Sequence, residues 1–163
     1  MGQKIKYLPT LLDRLLDDEP KSRREAPDKF HFDSRTMRAI VLRDVLAILN
    51  NTNIDDRLDE HRHKAVAGSV LNYGVSAVTG GWSNAHSWAR IEAAVRNALT
   101  RFEPRIVPES LVVRPLLDKS NPSRYGVILF EIRALIYWEP WPVDLCFQGS
   151  WDSENQAIRR SEE

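Results

Sequence analysis

A change in the spacing of apolar residues near Pro104 constrains the fold of this chain more than any other feature of its sequence. Before this proline, apolar residues recur every three or four positions, as on one face of an α-helix. They are Trp88, Ile91, Val95, Leu99 and Phe102. Proline ends such a helix because it has no backbone N–H to donate. From Arg105 onward apolar residues alternate with polar ones, which is typical of β-strands.

The second half of the chain therefore predicts three consecutive strands. They cover residues 111–117, 128–136 and 143–147. Residues 121–123 and 139–142 contain proline and predict the turns between the strands. Pro115 cannot donate to a central ladder, so the first strand is expected at a sheet edge or a bulge. Three successive strands predict an antiparallel β-meander, and helices followed by strands predict an α+β fold.

The first half of the chain predicts two amphipathic helices separated by a charged linker. Residues 8–19 place four leucines on one helical face, with Thr10 as a suitable N-cap. Residues 21–28 are charged and contain a proline, which predicts a solvated linker. A second helix is expected to begin at residues 33–34 and to end at residues 50–51.

Length and composition bound the class of protein. The 163 residues predict a single domain over 1–163, with 1–7 and 153–163 flexible. The 23 basic side chains balance 23 acidic ones, which disfavours a nucleic-acid partner because phosphate binding needs a clustered basic surface. The sole cysteine, Cys146, has no disulfide partner within the chain, and no apolar signal or membrane-spanning segment is present. We therefore expect a cytoplasmic protein without direct membrane insertion.

Two groups of residues suggest chemistry, and for each a structural interpretation is favoured. His61 and His63 are potential metal ligands, but Arg62 separates them and no HExxH or cysteine pattern accompanies them, which favours a solvated loop. Glu131, between apolar strand residues, is the best candidate for an acid with a raised pKa. Its alternation places it opposite the core beside Arg133, which favours a solvent-facing ion pair.

The corner where the last helix gives way to the strands is the most distinctive candidate site. Pro104 fixes an extended geometry, so Glu103 and Arg105 are expected to project from a defined position while their apolar neighbours anchor it. The planar guanidinium of arginine suits bidentate capture of oxygen atoms on a partner. A local cap with a surface ion pair is the alternative, and physical reasoning alone favours it. If the corner binds a partner, Arg105→Ala is expected to fold with nearly wild-type stability and to lose binding. If the corner is a structural cap, that variant is expected to melt many degrees lower and to bind normally when folded.

Several segments together resemble a known family. They are residues 11–18, 41–45, 49–50, 69–74, 91–92 and 102–105. In this combination they resemble the TssE family of type VI secretion baseplate subunits, which is similar to the gene-25-type wedge protein of contractile phage tails. The resemblance extends over about residues 8–150. The segments SVLNYG (69–74) and FEPR (102–105), in that order, are its most specific features.

The resemblance implies a cytoplasmic structural protein of a baseplate docked at the inner membrane, with no catalysis and no cofactor. It implies binding to the wedge subunits TssF and TssG, leaves a contact with TssK open, and implies that sheath subunits TssB and TssC dock on the protein. The partner-binding residues that it implies are Glu103, Pro104 and Arg105, which would contact the helical core bundle of the wedge. It also suggests a free sheet edge for sheath strands, near Pro115 or residues 143–147.

Three questions remain open from the sequence. Phage relatives have been described as lysozyme-like, so a peptidoglycan hydrolase is the alternative function, although no convincing carboxylate pair is present. A metal-binding module that uses His61 and His63 is a further alternative. Trp138, Trp141 and Trp151 fit an interface as well as they fit a core.

Overall fold

The computed structural model describes residues 10–16, 20–22, 33–59, 61–76, 85–116, 127–152 and 157–160. The α-helices in these ranges are α1 (Leu11–Leu15), α2 (Ser34–Leu49), α3 (Lys64–Ala67) and α4 (Ala85–Phe102). Single 3₁₀ turns cover Asp55–Arg57, Val70–Asn72 and Pro108–Ser110. The strands are β1 (Val112–Pro115), β2 (Val127–Ile136), β3 (Val143–Asp152) and β4 (Ala157–Arg160).

Helices α1 and α2 begin where the sequence predicts, after Thr10 and Asp33, and the side chains of these two residues cap the first turns. Thr10 accepts a hydrogen bond from the backbone N–H of Asp13 at the start of α1. Asp33 does the same for Thr36 at the start of α2, with N–H to Oδ1 at 2.7 Å. Helix α2 ends at Leu49 as predicted, and α4 ends just before Pro104. The described part of the first helix is shorter than the predicted 8–19, and most of the 21–28 linker lies outside the described residues.

The strands form one antiparallel sheet in the order β1-β2-β3-β4, and the α+β prediction is confirmed. Strand β1 lies at an edge, as Pro115 predicts. Strand β4 is not predicted by the sequence: 153–163 was expected to be flexible, yet Ala157–Arg160 pairs with Gly149–Asp152. The strand has four residues, AIRR, and its sequence lacks the alternation of apolar and polar residues that predicts the other strands. The segments 1–7, 153–156 and 161–163 lie outside the described residues, as does the 121–123 turn.

The core lies between the helices and one face of the sheet. Val41 and Val45 on α2 and Leu99 on α4 are fully buried there, together with Ile132 on β2. The side chains that alternate with them on β2 and β3 lie on the other face of the sheet, where Arg133 and Cys146 are exposed. Within the described ranges, no helix is both long and apolar enough to span a bilayer.

Candidate functional site

The predicted corner connects α4 to the edge of the sheet, and backbone hydrogen bonds hold it to both elements. The Glu103 N–H donates to Leu99 O at 2.9 Å, which continues the helical ladder by one residue. Arg105 O accepts from the Tyr137 N–H at 2.8 Å, and Ile106 forms a β-bridge with Ile136. The backbone of the corner is therefore part of the sheet margin.

Glu103 does not project from this corner, and that prediction is wrong. Its side chain is only 1% exposed, whereas that of Arg105 is 25% exposed. The Arg105 guanidinium binds the Glu103 carboxylate in a bidentate fork, in which Nε lies 2.6 Å from Oε1 and Nη2 lies 2.6 Å from Oε2. The Arg105 backbone N–H adds a third hydrogen bond to Oε1 at 3.2 Å. The carboxylate turns inward because these three donors satisfy it there, and Pro104 remains exposed on the outside.

A chain of alternating charges extends from this clamp across two helices. Arg105 Nη2 lies 2.5 Å from Asp44 Oδ2 on α2. The Nε atom of Arg43 donates to Asp44 Oδ1 at 2.9 Å, and its Nη1 lies 2.5 Å from Asp13 Oδ1 on α1. Three segments that carry the family resemblance, 11–18, 41–45 and 102–105, are thus joined by one ion network. The resemblance names these segments, but nothing in the sequence predicts that they touch.

The electrostatics of the clamp favour binding rather than proton transfer. Burial lowers the pKa of the Arg105 guanidinium, but hydrogen bonds to Glu103 and then Asp44 outweigh burial and hold the pKa above its usual value. Arg105 is therefore a permanent cation. Burial, followed by the charges of Asp44 and Glu103, raises the pKa of the nearby Tyr73 phenol. The Nη1 atom of Arg105 is buried and has no hydrogen-bond acceptor among the described residues.

The SVLNYG segment is held by a polar network centred on Asn72. Asn72 is buried; its Oδ1 accepts from the Ile54 N–H at 2.9 Å, and its Nδ2 donates to Asp55 Oδ1 at 2.5 Å and to Ala67 O at 3.2 Å. Asp55 also accepts from Ser76 Oγ at 3.0 Å. This network ties the polar loop after α2 to the segment after α3. Its role is structural, which the sequence does not indicate.

Gly74, at the end of the same segment, occupies a position that only glycine tolerates. Its φ is 121°, in the region that L side chains rarely adopt. A Cβ atom placed there would lie 2.2 Å from Asn51 O. This close approach accompanies a hydrogen bond from the Val75 N–H to Asn51 O at 2.8 Å, which joins the two loops.

The three tryptophans near the last strands have different environments. Trp151 is 5% exposed and belongs to the core, and Trp138 packs against the core while partly buried. Trp141, in the turn between β2 and β3, is 78% exposed. Of the three, Trp141 is the one available for an interface, where tryptophan is enriched among the residues that dominate binding.

Glu131 and His63, the other candidates for chemistry, form hydrogen bonds within the fold. Glu131 is an ion-pair partner as predicted, but it is buried rather than solvent-facing. Hydrogen bonds from Arg133 and Arg114 lower its pKa to about 2, so it cannot serve as a general acid near neutral pH. The Nδ1 atom of His63 accepts from the Asp59 N–H at 3.0 Å. The described ranges hold no group of three or more potential metal ligands.

The fold and site define a small α+β domain, in which the clamped charged corner lies beside the antiparallel sheet. Comparison with protein-family models assigns this domain: residues 35–140 match the model described as baseplate wedge protein gp25. The chain belongs to this family of baseplate wedge proteins. The matched range includes nearly all of α2, the SVLNYG segment, α4, the corner and strands β1 and β2, and it ends in the β2–β3 turn. Searches of curated proteins and of solved structures each gave no significant match.

Proposed function

We propose that the chain is a TssE-type adaptor of a type VI secretion baseplate, located in the cytoplasm where the baseplate docks at the inner membrane. It binds the wedge subunits TssF and TssG through the corner formed by Glu103, Pro104 and Arg105, in which the buried Glu103 holds Arg105 in place, and it anchors the contractile sheath of TssB and TssC. The family match supports a baseplate role. The clamp of Arg105 between Glu103 and Asp44 is the observation that carries the proposed site.

The clamp suits binding because it holds a charged, partly exposed side chain in one conformation before a partner arrives. A free arginine loses rotamer freedom when it is immobilised at an interface. Arg105 is already held by Glu103 and Asp44, so this entropy is lost on folding rather than on association. Pro104 is exposed and its φ is fixed by its ring, so the adjoining surface is also rigid.

For the sheath, we propose strand addition at the open side of β3. Strand β4 pairs only with Gly149–Asp152, so residues 143–148 have no neighbouring strand on that side among the described strands. This stretch is six residues long and contains no proline, whereas β1 has four residues and ends in Pro115. Added strands bind through backbone hydrogen bonds, which proline interrupts. The β3 side is therefore the better of the two edges that the sequence suggests.

The wedge-binding proposal is tested by co-purification. Tagged wild-type chain is expressed with TssF and TssG, and we expect a complex that survives size-exclusion chromatography; TssK is then added to ask whether it joins. The same purified chain is incubated with peptidoglycan. Release of reducing sugar, abolished by an Asp or Glu substitution, would establish the lysozyme-like alternative, whereas no turnover by folded protein would eliminate it. Failure to capture either wedge subunit would refute the adaptor proposal.

Hydrogen exchange tests the sheath edge separately. When TssB and TssC are added, we expect slower exchange at alternate backbone amides of residues 143–148, because successive residues of a strand direct their N–H groups to opposite sides. The amides of Val112–Pro115 serve as the internal comparison. Protection on β1 instead of β3 would contradict the choice of edge.

A further inference from the structure

A second cluster of charges lies on the sheet face opposite the helices. Glu131 on β2 stands directly across from Arg114 on β1, and Arg133 follows two residues later on the same strand. Arg114 Nε lies 2.5 Å from Glu131 Oε2, and Arg133 Nε lies 2.9 Å from the same oxygen. Arg133 Nη2 also donates to Oε1 at 3.1 Å. One carboxylate thus holds two guanidinium groups.

This arrangement covers the carboxylate and leaves both arginines open to solvent. The Glu131 side chain is 3% exposed, whereas those of Arg114 and Arg133 are 52% and 57% exposed. Glu131 uses both Nε atoms and one Nη atom, and Cys146 is a further hydrogen-bond partner of Arg133. Both Nη atoms of Arg114 have no acceptor within the described ranges. The exposed donors are already oriented, because the carboxylate beneath fixes both side chains.

The surroundings of the two arginines indicate what binds there. The three central charges sum to +1, and the exposed Asp144 on β3 lies beyond them, across from Leu135 on β2. Val112 and Leu129, which flank the arginines on the same face, are 47% and 39% exposed. The patch is therefore a pair of oriented donors bordered by apolar side chains. A dense polyanion such as nucleic acid would find too little positive charge here.

From this geometry we infer that Arg114 and Arg133 bind an acidic segment of a protein partner, whose Asp or Glu carboxylates accept from the free guanidinium N–H groups. Guanidinium and carboxylate match in charge and in bidentate geometry. The flanking apolar side chains pack against the segment between its carboxylates. Glu131 positions the two arginines and does not itself contact the segment. This surface is separate from the Glu103–Arg105 corner, so the inference stands independently of the proposed wedge contact.

Cys146 provides a native reporter for the test. It is the sole cysteine of the chain, it is exposed, and it lies across from Arg133 with Sγ 3.8 Å from Glu131 Oε1. The rate of its alkylation by iodoacetamide is measured with and without a synthetic eight-residue peptide of alternating Glu and Thr. The comparison peptide has Gln in place of every Glu. We expect the Glu peptide to slow alkylation several-fold, less so at high salt, and the Gln peptide to have little effect.

Matched variants assign the effect to the arginines. Arg114→Lys and Arg133→Lys keep the charge beside Glu131 but remove the fork, so each is expected to lose most of the protection. Arg62→Lys, an exposed arginine in the loop before α3, is expected to retain it. Each rate is referred to the same variant without peptide, after circular dichroism has verified its fold. Equal slowing by both peptides, or undiminished protection in the two variants at the patch, would overturn the inference.

Discussion

Asp44 and Arg105 are 61 residues apart in the sequence, yet Asp44 Oδ2 lies 2.5 Å from Arg105 Nη2. This ion pair links the middle of α2 to the corner that follows α4. Because Arg105 also holds the buried Glu103, the orientation of the candidate site depends on the packing of a distant helix. The site is therefore coupled to the stability of the domain. Substitutions at the corner are expected to lower the free energy of unfolding, although the corner lies at the surface.

Arg105→Ala is expected to destabilise the isolated protein, contrary to the near wild-type stability expected from sequence for a partner-binding corner. It leaves the Glu103 carboxylate buried without its fork, and breaking a buried pair in this way costs about 2–4 kcal/mol. Urea unfolding measures the loss in the free energy of unfolding. Glu103→Gln, alone and combined with Arg105→Ala, is the control. A neutral amide tolerates burial better than a carboxylate, so the double variant should lose less unfolding free energy than the two single variants lose in sum. Strict additivity of the two single losses would contradict the clamp.

Gly74→Ala is expected to lose about 2 kcal/mol or more of stability, because the new Cβ meets Asn51 O and the residue must keep a strained φ. Gly68→Ala is the matched control. At Gly68 a Cβ meets only Lys64 O, at 3.5 Å, and the φ of −83° suits any residue. In thermal unfolding, the melting temperature of Gly74→Ala should be clearly lower than that of Gly68→Ala. Equal melting temperatures would show that the loop does not require its observed conformation.

Asn72→Asp is expected to destabilise the fold at neutral pH. The substitution replaces the amide donor by a carboxylate oxygen that faces Asp55 Oδ1 and Ala67 O, so two donor contacts become repulsive. Stability should recover partly at acidic pH, where the new carboxyl is protonated. The free energy of unfolding at pH 7 and pH 4, compared with that of Asn97→Asp at an exposed position of α4, measures this effect. An unchanged midpoint at both pH values would rule out the network as a determinant of stability.

The Glu131 cluster predicts a loss of stability in acid. In the unfolded chain this carboxyl binds a proton near pH 4.5, whereas in the folded protein its pKa is about 2. Between these values the unfolded state binds more protons, so the contribution of Glu131 is complete above pH 4.5 and falls as pH decreases toward 2. Denaturant unfolding from pH 6 to pH 2.5 should therefore be less pH-dependent in Glu131→Gln than in wild type. An identical dependence of the free energy of unfolding on pH in the two proteins would contradict the lowered pKa of Glu131.

Local patterns in the sequence predict most of the elements of this fold. The helical spacing before Pro104 and the alternation after it predict α4 and strands β1 to β3, since both periods are set by burial of one face. Strand β4 escapes prediction because it is short and rich in arginine. The proximity of Glu103 and Arg105 follows from their separation of two residues across a proline.

Long-range contacts are the part that the sequence does not predict. No local pattern brings Asp44 to the corner or Asp13 to Arg43, because those contacts depend on how α1 and α2 pack. The alternation of β2 predicts the correct face for Glu131. Its burial nevertheless arises from two arginine side chains that lie over it rather than from the core. The alternation of apolar and polar residues in a strand predicts the face of the sheet on which a side chain lies. It does not predict which other side chains cover that face.

The central claim is that the corner binds the wedge subunits, and the most direct test is the affinity of folded corner variants for a TssF–TssG complex. Arg105→Lys keeps the charge near Glu103 and removes the fork, and Pro104→Ala alters an exposed residue; Arg57→Lys, an exposed arginine elsewhere, is the control. We predict that both corner variants bind at least about tenfold more weakly, about 1.4 kcal/mol, while the control binds like wild type. Wild-type affinity in both corner variants, with their folds verified, would contradict the claim.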